Sequence, residues 1–313
     1  MGTTADKLQR LVEGKQAIVD AVNSKANTSL TINSKLSDVA SSISNIKTQI
    51  PDSYIDLAEK YELVDILQTI IDTRKSCFNL FYLGRYTANP ITDVDFLSRL
   101  DTSNVTNMSY MFNVCQKITT IPQLDTSNVT NMKGMFFNCS GLTSIPQLDT
   151  SKVTNMQEMF NGCQKLTTAP QLDTSKVTNM GYMFNFCNRL TTATQINTIS
   201  ATDMSNMFYN CSKLTIIDIT YYNLTGRSTM FAYRCSALKS LIIREFGANY
   251  VLSSNAFLES SIESGTGYIY VPRSMVSTLQ SATNWSTHAS QIRALEDYTV
   301  DGTTTGALDE TKI

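Results

Sequence analysis

A period of 24 residues runs through the middle of this chain and limits what it can fold into. Four units follow one another without a gap, Leu100–Gln123, Leu124–Gln147, Leu148–Gln171 and Leu172–Gln195, opening LDTSNVTNM, LDTSNVTNM, LDTSKVTNM and LDTSKVTNM. Less regular units begin at Ile196 and Ile219 and keep the frame. Cysteine marks it throughout: Cys115, Cys139, Cys163, Cys187, Cys211 and Cys235 each stand 24 positions apart. A unit this short cannot bury its own apolar side, whereas stacked copies share a continuous core. The expected architecture is a solenoid of about six 24-residue coils, in which every repeated position becomes a column.

Two periodicities alternate inside each unit. Val105, Met108, Met111, Phe112 and Cys115 follow helical spacing, which predicts one short helix with the TSN before it as cap. Then ITTIPQL, with Ile118, Ile121 and Leu124 apolar, predicts a strand. The fold class is therefore mixed α/β. Successive strands at ~4.8 Å would make a slab roughly 25–30 Å long. Phe112, Phe136, Phe160, Phe184, Phe208 and Phe231 are expected to form an aromatic ladder in the core, with the Met and Cys columns beside it.

The Cys column lacks the short C-x2-4-C pairs of zinc sites, so it reads as buried thiols, and Cys77 outside the ladder reads the same way. A column of Asp101, Asp125, Asp149 and Asp173, followed by Asn197, stacks like charges that repel by roughly 0.8 kcal/mol per pair in a water-like dielectric. Turn capping by these carboxylates is the expected compensation; a cation is the alternative, disfavoured because the turns lack the glycines of calcium-binding repeats. Thr119, Thr143, Thr167 and Thr191, with Gln123, Gln147 and Gln171, form an uncharged outward face suited to saccharide or to solvent. No metal and no cofactor is expected.

The flanks read differently. Residues 5–24 and 54–73 show amphipathic helical spacing. Between them Ile32, Leu36, Val39, Ile43, Ile46 and Ile50 alternate four and three apart, a heptad seam of the kind that joins three or four helices. A homotrimer through this coiled-coil-like segment is the expectation, with an intramolecular bundle as the competitor. The C-terminal part offers a YIYV strand at 268–271, a helix from about Ser274, and the lone Trp285 as a plug on the last coil. The division is thus 1–75 helical oligomerisation and docking segment, 76–245 solenoid, and 246–313 C-terminal α/β cap, since solenoids need covered ends.

The TSNVTNM…MF…C…LT units resemble the BspA-like leucine-rich-repeat family, over about Leu100 to Leu241. That family occurs in bacterial surface proteins and in proteins encoded by phages. The tail, with YIYVP, ATNWS and DGTTTGALDETKI, is similar to the closing segment of phage-borne members, and the opening TTADKLQRLVEGKQAIVDAV to phage minor structural proteins. The resemblance implies surface recognition rather than catalysis. The N-terminus has no secretory signal pattern, which favours a virion protein (a tail or head fibre assembled in the host cytoplasm) over a bacterial adhesin. Expected partners are the chain itself, other virion proteins and a host surface glycan or protein. A net charge of −2 argues against nucleic acid, and no apolar run is long enough to insert in a membrane. One histidine, His288, leaves no Cys–His or Ser–His–Asp arrangement. A depolymerase built on a carboxylate pair is the least favoured reading, with Glu245, Glu259 and Glu263 as its only clustered candidates.

Overall fold

The computed structural model describes residues 67–68, 71–72, 74–81, 94–225, 231–309 and 311–312. The seam Ile32, Leu36, Val39, Ile43, Ile46 and Ile50, the helix expected over 5–24, and most of that expected over 54–73 lie outside these residues. Helical backbone at 67–68, 71–72 and 74 places Leu67 and Ile71 in the core.

Among the described residues the strands are β1 (Thr192–Ile196), β2 (Ile216–Ile219), β3 (Tyr222–Thr225), β4 (Ser240–Ile243), β5 (Phe246–Val251), β6 (Tyr268–Val271) and β7 (Ile292–Ala294); an α-helix, α1, spans Arg273–Ser281. β1, β2, β4, β6 and β7 form one parallel sheet in that order, and β3 pairs with β5 in a second. Equivalent positions of successive units pair in parallel, as in the bridges Asn107 to Asn131, Asn131 to Asn155, and Asn155 to Asn179. The chain therefore advances by one coil per unit.

The expected helix does not form. From Met108 to Cys115 the amides alternate between two fates. Met108, Tyr110, Phe112 and Val114 donate forward to carbonyls of the next coil, Asn131, Lys133, Met135 and Phe137, at 2.7–2.9 Å. Met111, Asn113 and Cys115 donate back three residues, to Met108, Tyr110 and Phe112, at 3.0–3.2 Å. A helix would keep all of these bonds inside the unit. Consecutive reverse turns bury the same side of the chain, so Val105, Met108, Met111, Phe112 and Cys115 are each 0 % exposed. The turns require left-handed backbone every fourth residue, at Tyr110 (φ 55°) and Val114 (φ 63°) and at their equivalents. Glycine or asparagine meets that demand at Gly134, Asn138, Gly162, Asn206 and Asn210. Glu158, Tyr182 and Phe186 carry the same conformation with full side chains, at a strain of roughly 1–2 kcal/mol per residue.

The expected strands form only in later coils, and proline is the reason. Pro122, Pro146 and Pro170 stand where the following units have Thr194, Asp218 and Ile242, which lie in β1, β2 and β4. Proline has no N–H for the ladder. In the proline-bearing coils side chains bridge instead: the Gln123 amide donates to Gln147 O (2.8 Å) and the Gln147 amide to Gln171 O (3.0 Å).

The Phe rings stack between coils. Centroids from Phe112 through Phe208 lie 5.4–5.7 Å apart with planes within 13°. Phe81 extends the stack one step earlier, 5.4 Å from Phe112. Phe231 departs from the column. Phe208 N donates to Phe231 O just as Phe184 N donates to Met207 O, so Phe231 occupies the place of the second methionine and Ala232 that of the phenylalanine. Its ring accordingly meets Phe208 edge-on at 88°.

At the C-terminal end the inward residues of the sheet, Ile217, Leu241, Ile269 and Ile292, join the core. Ile242, Tyr270 and Leu295 pack with Tyr298 and Leu308 as a separate cluster. Glu296 accepts two bonds from Arg273 N (2.9 and 3.0 Å) and so caps α1, whose own N-cap is Pro272. Trp285 is fully buried among Tyr222, Phe246 and Phe257, and its Nε1 donates to Tyr250 O at 2.7 Å.

Candidate functional site

Three outward surfaces of the coils carry polar chemistry. The first is the Asp column. Asp101, Asp125, Asp149 and Asp173 each accept, through Oδ1, the amide two residues on (Ser103, Ser127, Ser151, Ser175) at 2.9–3.0 Å, and Asn197 repeats the turn with Ile199 N. Hydrogen bonds from Ser127 hold the Asp125 carboxyl below its ordinary range, and they outweigh the upward push of burial and of Asp101 and Asp149. Asp101, Asp149 and Asp173 shift the same way through their own serines. Between Gln123–Thr126 and Gln147–Thr150 lies a shallow open groove of ≈ 580 Å³. Among the described residues no three His, Cys, Asp or Glu side chains are grouped to hold a metal ion.

Depressed carboxylate values in the folded state carry a definite sign. The stability they contribute is full above the unfolded aspartate value and is lost as pH falls through the lowered folded values. Acid titration of the melting temperature is therefore expected to show a fall in that window. Replacing all four aspartates by Asn, which makes the same turn at Asn197 without a charge, should flatten that limb and lower the neutral-pH melting temperature by what the carboxylates contributed. An unchanged acid limb would refute the assignment.

The second comprises two exposed threonine columns, one at Thr119 and its equivalents and one at Thr106 and its equivalents. Thr143 and Thr191 hydroxyls donate to Thr119 O and Thr167 O at 3.0 and 2.9 Å, and Thr130, Thr154, Thr178 and Thr202 make equivalent bonds at 3.0–3.3 Å. These hydroxyl protons are spent along the coil axis, which leaves oxygen lone pairs outward.

The third is the turn face, which carries aromatic side chains. Tyr110 lies over Gly134, where a Cβ would stand 2.2 Å from its ring, and donates to Glu158 Oε2 at 2.5 Å. Phe186, Tyr209 and Tyr233 follow one another on successive coils, with centroids 5.4 and 4.9 Å apart. Arg234 lies over Tyr233 and pairs with Glu259, and Glu259 also accepts from the Tyr233 hydroxyl at 2.6 Å.

The six ladder cysteines are free and buried, as is Cys77. Cys139, Cys163, Cys187, Cys211 and Cys235 donate their thiols to the Phe carbonyl of the preceding coil at 3.0–3.2 Å. Burial pushes Cys77, Cys115 and Cys235 up to about 12, far from thiolate chemistry at neutral pH.

A family model described as Mycoplasma protein of unknown function, DUF285, matches residues 86–169 and 140–242, together half of the chain. The chain belongs to this family. It is a BspA-like repeat protein. The DUF285 matches cover all four regular units and the two irregular ones. Among solved structures the chain is similar to a leucine-rich repeat protein from Bacteroides ovatus ATCC 8483, at 22 % identity and a TM-score of 0.34, over 52 % of this chain and 42 % of that one. The chain thus spans under half the length of that protein. No curated protein matches it.

Of the remaining candidates in this DUF285 member, Glu259 and Glu263 share one turn, where Glu263 Oε2 accepts Glu259 N at 2.5 Å. Glu245 lies by a separate small groove with Arg244, Phe246 and Met275. His288 packs edge-on against Phe257, 5.3 Å between centroids, and burial lowers its pKa. Two features escaped the sequence reading. Ser76–Phe81 stacks as an additional partial turn, with Cys77 N on Asn107 O and Phe81 N on Met111 O, 31 rather than 24 positions from its equivalents. The aromatic turn face escaped because it sits at positions that change from unit to unit.

Proposed function

We propose that this protein is a non-enzymatic attachment component of a phage virion, a tail or head fibre that presents the repeat solenoid to the host surface. The supporting observation is the contrast between constant and changing positions. Met108, Met111, Phe112 and Cys115 recur in all four regular units. Ser109–Tyr110 becomes Lys133–Gly134, Gln157–Glu158 and Gly181–Tyr182, and Asn113–Val114 becomes Phe137–Asn138, Asn161–Gly162 and Asn185–Phe186. Identical buried columns beside positions that change, of which Tyr110, Glu158, Tyr182 and Phe186 are partly or fully exposed, suit recognition on a rigid scaffold. Glu259, the best-connected of the clustered glutamates, is held below its ordinary range by Tyr233 and Arg234, whereas a glycosidase acid needs the opposite shift. Residues 1–75 would dock the protein and trimerise it through the Ile32–Ile50 seam.

Mass spectrometry of purified virions tests the reading: the chain is expected among the structural proteins, and its absence would overturn the proposal. Light scattering on the full chain should give a trimer mass.

A further inference from the structure

One corner of the coil carries charge that the fold does not use. Where the chain leaves its turns for the threonine column at Thr119, the units read QKITTI (116–121), SGLTSI (140–145), QKLTTA (164–169), NRLTTA (188–193), SKLTII (212–217) and SALKSL (236–241). These stretches hold Lys117, Lys165, Arg189, Lys213 and Lys239, with no Asp, no Glu and no aromatic residue. All five cations are exposed. Among the described residues none of the five is in an ion pair, whereas Arg234, Arg244, Arg273 and Lys312 each hold a carboxylate, and Lys152 donates to Asn128 Oδ1 at 2.7 Å. Like charges one coil apart repel by roughly 0.8 kcal/mol per pair in a water-like dielectric. Gly141 and Ala237 stand in the same column as Lys117, Lys165, Arg189 and Lys213, so packing does not require a long basic side chain there. Beyond the sixth coil Ser261 rests on Cys235 O and Ser236 O, and the acidic Glu263 follows it, which closes the stripe.

We propose that this stripe, with the threonine column beside it, binds an acidic polysaccharide laid along the solenoid axis. The assignment rests on the attachment reading above and adds the face and the ligand chemistry. The backbone fixes the spacing: Thr143 N, Thr191 N and Thr215 N donate to Thr119 O, Thr167 O and Thr191 O at 2.8–2.9 Å, so the columns advance by about 4.8 Å per coil. A polymer that carries carboxylates at intervals meets Lys165, Arg189 and Lys213 in turn. The threonines decide between polyanions. Thr143, Thr191 and Thr215 hydroxyls donate to carbonyls of the preceding coil at 2.9–3.0 Å, so toward a ligand they can only accept. Sugars bring hydroxyl donors for those lone pairs as well as carboxylates for the cations, whereas a DNA or polyphosphate backbone brings acceptors alone. Single-stranded nucleic acid also needs rings to stack on, and this corner has none. With a net charge of −2 on the whole chain, attraction is confined to the stripe and is screened by salt.

Biolayer interferometry of the full chain on immobilised polygalacturonate (acidic), laminarin (neutral) or a single-stranded oligonucleotide tests this. Binding to polygalacturonate that weakens as salt rises, and is absent on laminarin, is expected. Lys165→Gln with Arg189→Gln is the decisive variant: affinity should fall at least tenfold, while the melting temperature stays at or above wild type because repulsion is removed. Lys152→Gln with Lys176→Gln, the same loss of charge on the aspartate corner, should bind as wild type. Thr167→Val with Thr191→Val removes acceptors without charge and should weaken binding about threefold; unchanged affinity there would overturn the choice of a sugar polymer. No binding to polygalacturonate, equal binding to laminarin, preference for the oligonucleotide, or equal losses from the two charge variants would each overturn the stripe. Virions carrying Lys165→Gln with Arg189→Gln that adsorb to host cells as wild type would overturn it too, and would leave the attachment reading standing. Absence of the chain from virions would overturn that reading and leave the polymer measurement unaffected.

Discussion

Phe160→Ala is expected to destabilise the protein by about 3–5 kcal/mol, read as a loss in denaturant midpoint. The ring is fully buried, and it sits between Phe136 and Phe184 at 5.5 Å on each side with planes 13° and 4° apart. Truncation removes both stacks and opens a void that the neighbouring coils cannot fill, because their backbones are tied by the forward hydrogen bonds of Met156, Glu158, Phe160 and Gly162. In a molecule where each coil touches mainly its neighbours, a central lesion also uncouples the two halves. The transition should therefore broaden as well as shift. Phe231→Ala, outside the column in the place of the second methionine and edge-on to Phe208, should cost less. Equal losses from the two variants would refute a cooperative ladder.

Asp218→Ala is expected to cost about 3–5 kcal/mol, because removing one member of a buried ion pair strands the other. Asp218 is 3 % exposed and accepts two bonds from Arg244, Nε to Oδ1 at 2.9 Å and Nη2 to Oδ2 at 2.7 Å. The same guanidinium donates from Nη1 to Thr304 O and Gly306 O at 2.8 and 3.0 Å. Arg244 thereby fastens the C-terminal segment to the sheet. Limited proteolysis should cut within residues 299–309 in Asp218→Ala and spare them in wild type. A double substitution, Asp218→Ala with Arg244→Met, should recover part of the loss. Wild-type melting and protection in the single variant would show that the clamp is idle.

The columns were legible because identical residues 24 apart must stack whatever the local backbone does. The backbone was not legible. Spacing of i, i+3, i+4 and i+7 fits one helix and also fits consecutive turns, and only the destination of the amides separates them. The signs of turns were present, in Gly134, Gly162, Asn138 and Asn210 at matching positions, but Tyr110, Val114 and Phe186 masked them. Proline at 122, 146 and 170 announced the missing strand pairs, and its replacement by Thr194 announced where the sheet begins. Phe231 misled because conservation of residue type concealed a one-place shift, with Ala232 taking the aromatic position. The C-terminal clamp had no signature at all, since Arg244 meets carbonyls 60 and 62 residues away. Of the candidate surface, the Asp column was foreseen as turn capping, whereas the aromatic row was hidden among residues that repetition does not preserve.

The alternating amides have a consequence for how such a molecule changes over generations. Each regular coil hands its bonds forward to a partner almost identical to the one it receives them from, so one whole unit can be gained or lost in frame without disturbing the seams on either side. Nearly identical coding stretches are prone to slippage, and here slippage yields a shorter or longer rod rather than a misfolded one. Reach becomes a heritable variable, adjustable in steps of a single coil.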